Sequence, residues 1–172
     1  MSRASVTLLA GVSFLALGGG AGAECAPGKN APPFALRELR DQAKVVSSAD
    51  LYPGKTTLLS FFATWCRPCK EEIPNLRSLA ERFQDRGFQV VLVSLDRDKK
   101  DVVGFLHSAG SGTLPVLWDV ERKVKDLYRV TQLPTNIRVD PDRCIGADWF
   151  GFLPAKLQEL ENHLTRLPKS PK

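Results

Sequence analysis

The stretch FFATWCRPCKEEIP, Phe61 to Pro74 of a 172-residue chain, carries two cysteines separated by two residues, Cys66 and Cys69. Such a pair can clip a metal, staple the chain, or cycle between dithiol and disulfide. It follows an uncharged, β-branched and aromatic run, Thr56 to Ala63, and opens a stretch of helical periodicity. Cys66 therefore falls at a helix N-terminus, where unpaired backbone N–H groups and the dipole favour a thiolate. Arg67 adds positive charge, and Pro68 suits a first turn because it has no N–H to leave unpaired. Cys69 lies one turn deeper and is expected to be shielded. That separates the roles: Cys66 attacks a substrate disulfide, and Cys69 then attacks the mixed disulfide and frees the substrate.

A zinc site needs more ligands than this, and the chain has no second C-x-x-C and no histidine cluster. His107 and His163 stand alone and read as surface residues. Neither a metal nor a dissociable cofactor is expected. A static disulfide remains open, although it is unusual at a strand–helix junction. A peroxidatic cysteine needs no partner two residues on.

The elements that hold this pair read off the hydrophobic pattern. Residues 24–33 are rich in Pro, Gly and Ala and form an irregular arm. Phe34 to Leu36 and Val45-Val46 are short apolar islands, compatible with a small hairpin. Asp50 to Lys55 is turn chemistry, and Thr56 to Ala63 is a buried strand. Ile73, Leu76, Leu79, Ala80 and Phe83 then recur at helical spacing, with Pro74 inside and expected to kink the helix, and Arg86-Gly87 ending it. Phe88 to Leu95 is a second apolar strand. Asp98 to Ala109 is a helix with Val102, Val103, Phe105 and Leu106 on its apolar side. Leu114 to Trp118 is a short apolar run, and Val120 to Tyr128 a short helix with Val124, Leu127 and Tyr128 inward. Thr135 to Val139 and Cys144 to Phe152 form a returning pair of strands around Asp140-Pro141-Asp142. Pro154 opens a last helix with a Leu157, Leu160, Leu164, Leu167 stripe. The order predicts an α/β fold, a mixed sheet flanked by helices.

The composition is that of a globular domain, 43% hydrophobic and 25% charged, with a net charge of +5. The charges are scattered. Asp96-Arg97-Asp98-Lys99-Lys100-Asp101 neutralises itself, and no basic face interleaved with aromatics speaks for nucleic acid. Met1 to Arg3, the apolar Val6 to Leu17 and the small Ala21-Gly22-Ala23 have the form of a secretory signal peptide spanning 1–23. An uncut membrane anchor is the alternative. Glu24 stands immediately before Cys25, where lipidation wants a small residue. Export makes disulfides persistent, and with Cys66 paired to Cys69 the cysteines left are Cys25 and Cys144.

Trp65-Cys66-Arg67-Pro68-Cys69, Pro74 within the helix, and Leu133-Pro134-Thr135 before a strand together resemble the thioredoxin fold. More narrowly they resemble the exported TlpA/ResA-like thiol-disulfide oxidoreductases. Ala31-Pro32-Pro33-Phe34, Gly54-Lys55, Phe62-Ala63-Thr64-Trp65-Cys66 and Glu72-Ile73-Pro74 extend the likeness over roughly residues 31–167. The resemblance implies a thioredoxin-like domain over 24–167, with an extra N-terminal hairpin and a central helix and strand insertion, and a tail at 168–172.

It also implies site roles. Pro134 is expected as a cis-proline facing the cysteines, exposing the Leu133 backbone for strand-like pairing with a substrate peptide. Glu72, three residues after Cys69 on the same helical face, is expected to exchange a proton with the Cys69 thiol. Ordinary thioredoxins keep a buried aspartate in the strand before the motif; Ser60 stands there in this chain. Trp65 either shields the pair and touches substrates or is a packing aromatic. Cys25 and Cys144 depart from the family's minimal pattern; a disulfide between them would tie the N-terminal arm to the sheet, at a typical gain of ~2–4 kcal/mol. Two separate thiols, or intermolecular bonding through Cys25, are the alternatives. The implied activity is reduction of protein disulfides, of the cytochrome c or copper-site assembly type, fed by a membrane reductant of the DsbD/CcdA type. The chain is expected to be periplasmic or otherwise extracytoplasmic and monomeric. A disulfide-forming oxidase, a non-catalytic binding module and a thiol peroxidase are the competing functions.

Overall fold

In the computed structural model, residues 25–26 and 28–169 are described. The expected signal peptide, 1–23, lies outside them. The frame is a mixed seven-stranded sheet. Its strands are β1 (Ala35–Glu38), β2 (Val45–Ser47), β3 (Thr56–Phe62), β4 (Phe88–Ser94), β5 (Val116–Trp118), β6 (Thr135–Val139) and β7 (Ile145–Phe150), in the order β2-β1-β5-β4-β3-β6-β7. β3, β4 and β5 run parallel, and the other neighbours pair antiparallel. The helices are α1 (Ser48–Leu51), α2 (Arg67–Phe83), α3 (Lys99–Ser108), α4 (Lys123–Leu127) and α5 (Pro154–Arg166).

β3 carries no charge because both faces of the sheet are covered. Leu58 and Phe62 enter the core beneath α2 and α5, while Leu59 and Phe61 enter the opposite core with Tyr52, Tyr128 and Ile137. That alternation is the period of a strand, and continuous burial is what a central, largely parallel strand requires. α2 buries Cys69, Glu72, Ile73, Leu76, Leu79 and Phe83, the stripe of a 3.6-residue period. It runs as one helix through Pro74. A 3₁₀ turn, Gln84–Arg86, follows, and Gly87 at φ +68° reverses the chain in a left-handed conformation that favours glycine.

Three local expectations change. α1 precedes the turn at Tyr52–Lys55, where only turn chemistry was read. α3 buries Val102 and Leu106, one helical turn apart, and leaves Val103 49% exposed. α4 starts at Lys123 rather than Val120. Arg122 sits at φ +59°, and the Asp119 carboxylate accepts the N–H groups of Val124 and Lys125, at 3.2 and 2.7 Å. Val124 and Tyr128 then point inward, and Leu127 is half exposed. The Tyr128 hydroxyl lies 2.8 Å from that of Tyr52 and 2.9 Å from the Pro32 carbonyl, tying the segment after α4 to the N-terminal part of the chain.

The N-terminal arm lies along the outer side of the β7 start. Ile145 N–H donates to Lys29 C=O at 2.7 Å, and Ala31 N–H to Arg143 C=O at 3.0 Å. Cys25 and Cys144 form a disulfide there, with Cα atoms 5.4 Å apart and 119 residues between them in sequence.

Candidate active site

The site is built where β3 ends. After Phe62 the chain turns through Ala63, Thr64 and Trp65, and Cys66 becomes the N-cap of α2 with extended backbone, φ −85° and ψ 98°. An N-cap side chain ordinarily accepts a hydrogen bond from an orphan helix N–H. Here the acceptor is sulfur: Cys66 Sγ receives the Cys69 N–H at 3.3 Å. Cys66 and Cys69 are joined as a disulfide, and both are buried. Arg67 and Pro68 are exposed, and Arg67 pairs with Glu71 at 3.2 Å across one helical turn. Trp65 stands 74% exposed beside the pair; it is not a core aromatic.

Glu72 is fully buried one turn below Cys69. Its Oε1 accepts a hydrogen bond from Asn136 Nδ2 at 2.8 Å. Burial pushes the Glu72 carboxyl up to about 7, and the Asn136 hydrogen bond acts in the opposite direction. Asn136 stands on β6, directly across from Ser60 of β3. Two residues before it, the Leu133–Pro134 peptide is cis, and Pro134 C=O accepts the Gly151 N–H at 2.7 Å. β6 pairs Thr135 with Phe61, so this loop borders the end of β3 from which Cys66 emerges. The cysteine pair, Glu72 and the Leu133–Pro134 loop thus share one pole of the sheet. Cys25 and Cys144 lie elsewhere, at the opposite end of β6 and β7.

Two residues of this pole were not singled out in the sequence. Asn136 had one signal, a buried amide inside a strand. Asp96 was read only as part of a self-neutralising charge cluster. It is 9% exposed and accepts the Thr64 N–H at 3.1 Å, the Thr64 hydroxyl at 2.8 Å and the Ser94 hydroxyl at 3.0 Å. Its signal was its place just beyond an apolar strand, where β-ends converge on a site. His107 is exposed, whereas His163 is half-buried, 3.9 Å from Asp140 rather than on the surface. Among the described residues no group of three His, Cys, Asp or Glu is placed to hold a metal ion.

A strand-to-helix turn that caps a helix with a cysteine, and buries the second cysteine over a carboxyl, defines a thioredoxin-type redox site. Comparison with known proteins gives the lineage. Residues 27–147 match the AhpC/TSA family. The thiol-disulfide oxidoreductase ResA of Bacillus subtilis (strain 168) is 36% identical over 115 residues, which are 67% of this chain and 62% of that protein. The chain thus spans less than two thirds of that relative's length. The Oceanobacillus iheyensis ResA is 36% identical over 139 residues, 80% of this chain and 70% of the relative. A crystal structure from Chlorobium tepidum, described as a thiol:disulfide interchange protein DsbE, superposes with a TM-score of 0.73 at 30% identity, covering 83% of this chain and 97% of that one. The chain belongs to the AhpC/TSA family, among the ResA- and DsbE-like thiol-disulfide oxidoreductases of the thioredoxin superfamily.

Proposed function

We propose that the chain reduces disulfides of protein substrates outside the cytoplasm by dithiol–disulfide exchange at Cys66 and Cys69. One observation carries the reading: Cys66 caps α2 while Glu72 is sealed one turn below Cys69 with a carboxyl raised to about 7. The Cys66 thiolate attacks the substrate disulfide. Cys69 loses its proton to Glu72 and attacks the Cys66 sulfur. The substrate leaves as a dithiol, and the Cys66–Cys69 disulfide remains. The helix N-terminus stabilises the first thiolate, and the buried carboxylate serves as base for the second. Trp65, Leu133 and Pro134 contact the substrate chain beside the pair.

The reductive direction, the cytochrome c or copper-site assembly substrates and a DsbD/CcdA-type membrane donor come from the resemblance to exported relatives. We extend the proposal to a leader at 1–23, read from the charge and hydropathy pattern of its own residues, a domain at 24–167, a tail at 168–172 and a monomeric state. No helix among the described residues is long and apolar enough to cross a membrane.

The test is the reduction potential of the Cys66–Cys69 pair, measured by thiol equilibration in a Cys25→Ser, Cys144→Ser background. A potential near roughly −270 mV supports a reductant; one near about −120 mV makes the chain a disulfide donor. Insulin reduction that survives Cys66→Ser would leave only a binding role for the pair, and Cys66-dependent peroxide consumption would make it a peroxidase.

A further inference from the structure

Glu72 and Asn136 meet between α2 and the sheet, and neither has exposed surface. A single hydrogen bond joins them, Nδ2 to Oε1, at 2.8 Å. Each side chain keeps one buried oxygen with no partner, Oε2 of Glu72 and Oδ1 of Asn136. Buried polar atoms in native proteins are paired, and each exception asks for a reason. Both orphans are acceptors, so what the contact lacks is a donor. An ionised carboxyl can only accept; a protonated one donates through one O–H. A proton on Oε2 would give Oδ1 its donor. Acid and amide would then face each other through two antiparallel hydrogen bonds.

Resting on the exchange reaction proposed above, we infer that Asn136 is a positioning residue that stores the proton Glu72 takes from Cys69. Its Nδ2–H holds the carboxylate, and its Oδ1 receives the O–H of the acid. In the mixed disulfide, the Cys69 S–H gives its proton to Glu72 Oε2. The Cys69 thiolate forms the bond to Cys66 Sγ, the Cys66–substrate S–S bond breaks, and the substrate sulfur leaves with the electron pair of that bond. The proton stays on Oε2, against Asn136 Oδ1, until the next reduction returns it to Cys69. This places the acid form with the oxidised pair, and it is the oxidised protein in which both oxygens are orphaned. Apart from burial, only the Asn136 hydrogen bond acts on the carboxyl. Cys69, three residues ahead on the same helix, is bound in the disulfide and does not titrate in this state, and the partner strand sets the uncharged Ser60 across from Asn136.

The test needs no turnover. In the oxidised protein, carbon-13 shifts of the Glu72 carboxyl and the Asn136 side-chain carbonyl are followed against pH. The two titrate with one midpoint, and Glu72→Gln abolishes the Asn136 titration. An Asn136 carbonyl that ignores the Glu72 titration overturns the proposal. The kinetic arm uses Asn136→Leu, which keeps volume and removes both hydrogen bonds. Release of a trapped mixed disulfide by Cys69 slows about tenfold or more, while alkylation of Cys66 keeps its rate and pH profile. Equal slowing of both steps marks a merely structural residue and overturns the proposal. If Asn136→Leu does not fold, the titration in the parent protein decides. Absence of reductase turnover would refute the exchange reading and leave the titration result intact.

Discussion

Asp96, just beyond β4, accepts both the backbone N–H and the hydroxyl of Thr64, two residues ahead of Cys66. The turn that leads into Cys66 is thus held by a side chain 32 residues away in sequence. Asp96→Ala strands those donors at a cost of about 1–3 kcal/mol. It lowers insulin turnover several-fold through loosening of residues 63–65. Asp96→Asn keeps an acceptor and recovers part of both losses. Urea denaturation and turnover on the same samples check this; unchanged turnover in Asp96→Ala removes the role.

Glu72 makes stability depend on pH. Its folded-state carboxyl titrates near 7, above the ordinary glutamate range, so the folded state binds the proton more tightly. Stability from this group is full below about pH 4 and falls as pH rises towards 7, by about 3 kcal/mol in all. Glu72→Gln removes that slope and becomes relatively more stable at pH 8 than at pH 5. Denaturant titrations of oxidised parent and variant at the two pH values measure it. An unchanged slope in the variant refutes the assignment.

Removing the Cys25–Cys144 link costs about 2–4 kcal/mol, because it frees a long loop in the unfolded chain. The Cys25→Ser, Cys144→Ser protein is expected to keep the Cys66–Cys69 potential of the parent, since the link lies at the other pole. A lower unfolding midpoint with an unchanged potential is the outcome to look for.

Two leucines of similar appearance in sequence should behave differently. Leu164 is fully buried between α5 and the sheet, whereas Leu127 is 50% exposed. Leu164→Ala costs about 2–5 kcal/mol, and Leu127→Ala stays within about 0.5 kcal/mol. Equal losses would show that α4 packs differently.

Much of this was legible because strand and helix periods are strong signals. Thr56–Phe62, the α2 stripe and the Leu160–Leu164 face follow from hydrophobic spacing alone. Val103 and Leu127 were misplaced because spacing gives a helix an apolar side but not the width of that side. Partners settle the width: Tyr128 is drawn inward by Tyr52 and Pro32, which turns its neighbour out. Within the site, the cysteines and Glu72 sit on one helix, where spacing speaks. Asn136 reaches it from β6 and Asp96 from the segment just beyond β4, and such meetings depend on pairing and register rather than on local pattern.

The arm at Cys25 also settles a direction. β3 runs from Thr56 towards Cys66, and β6 runs back, so that Val139 lies across from Thr57, with Ile145 beside Val139. Cys144, and Cys25 bonded to it, therefore sit about 20 Å from the Cys66 pole, the length of a seven-residue strand. A label attached at the Cys25–Cys144 end would therefore start a full strand's length from the Cys66–Cys69 pair.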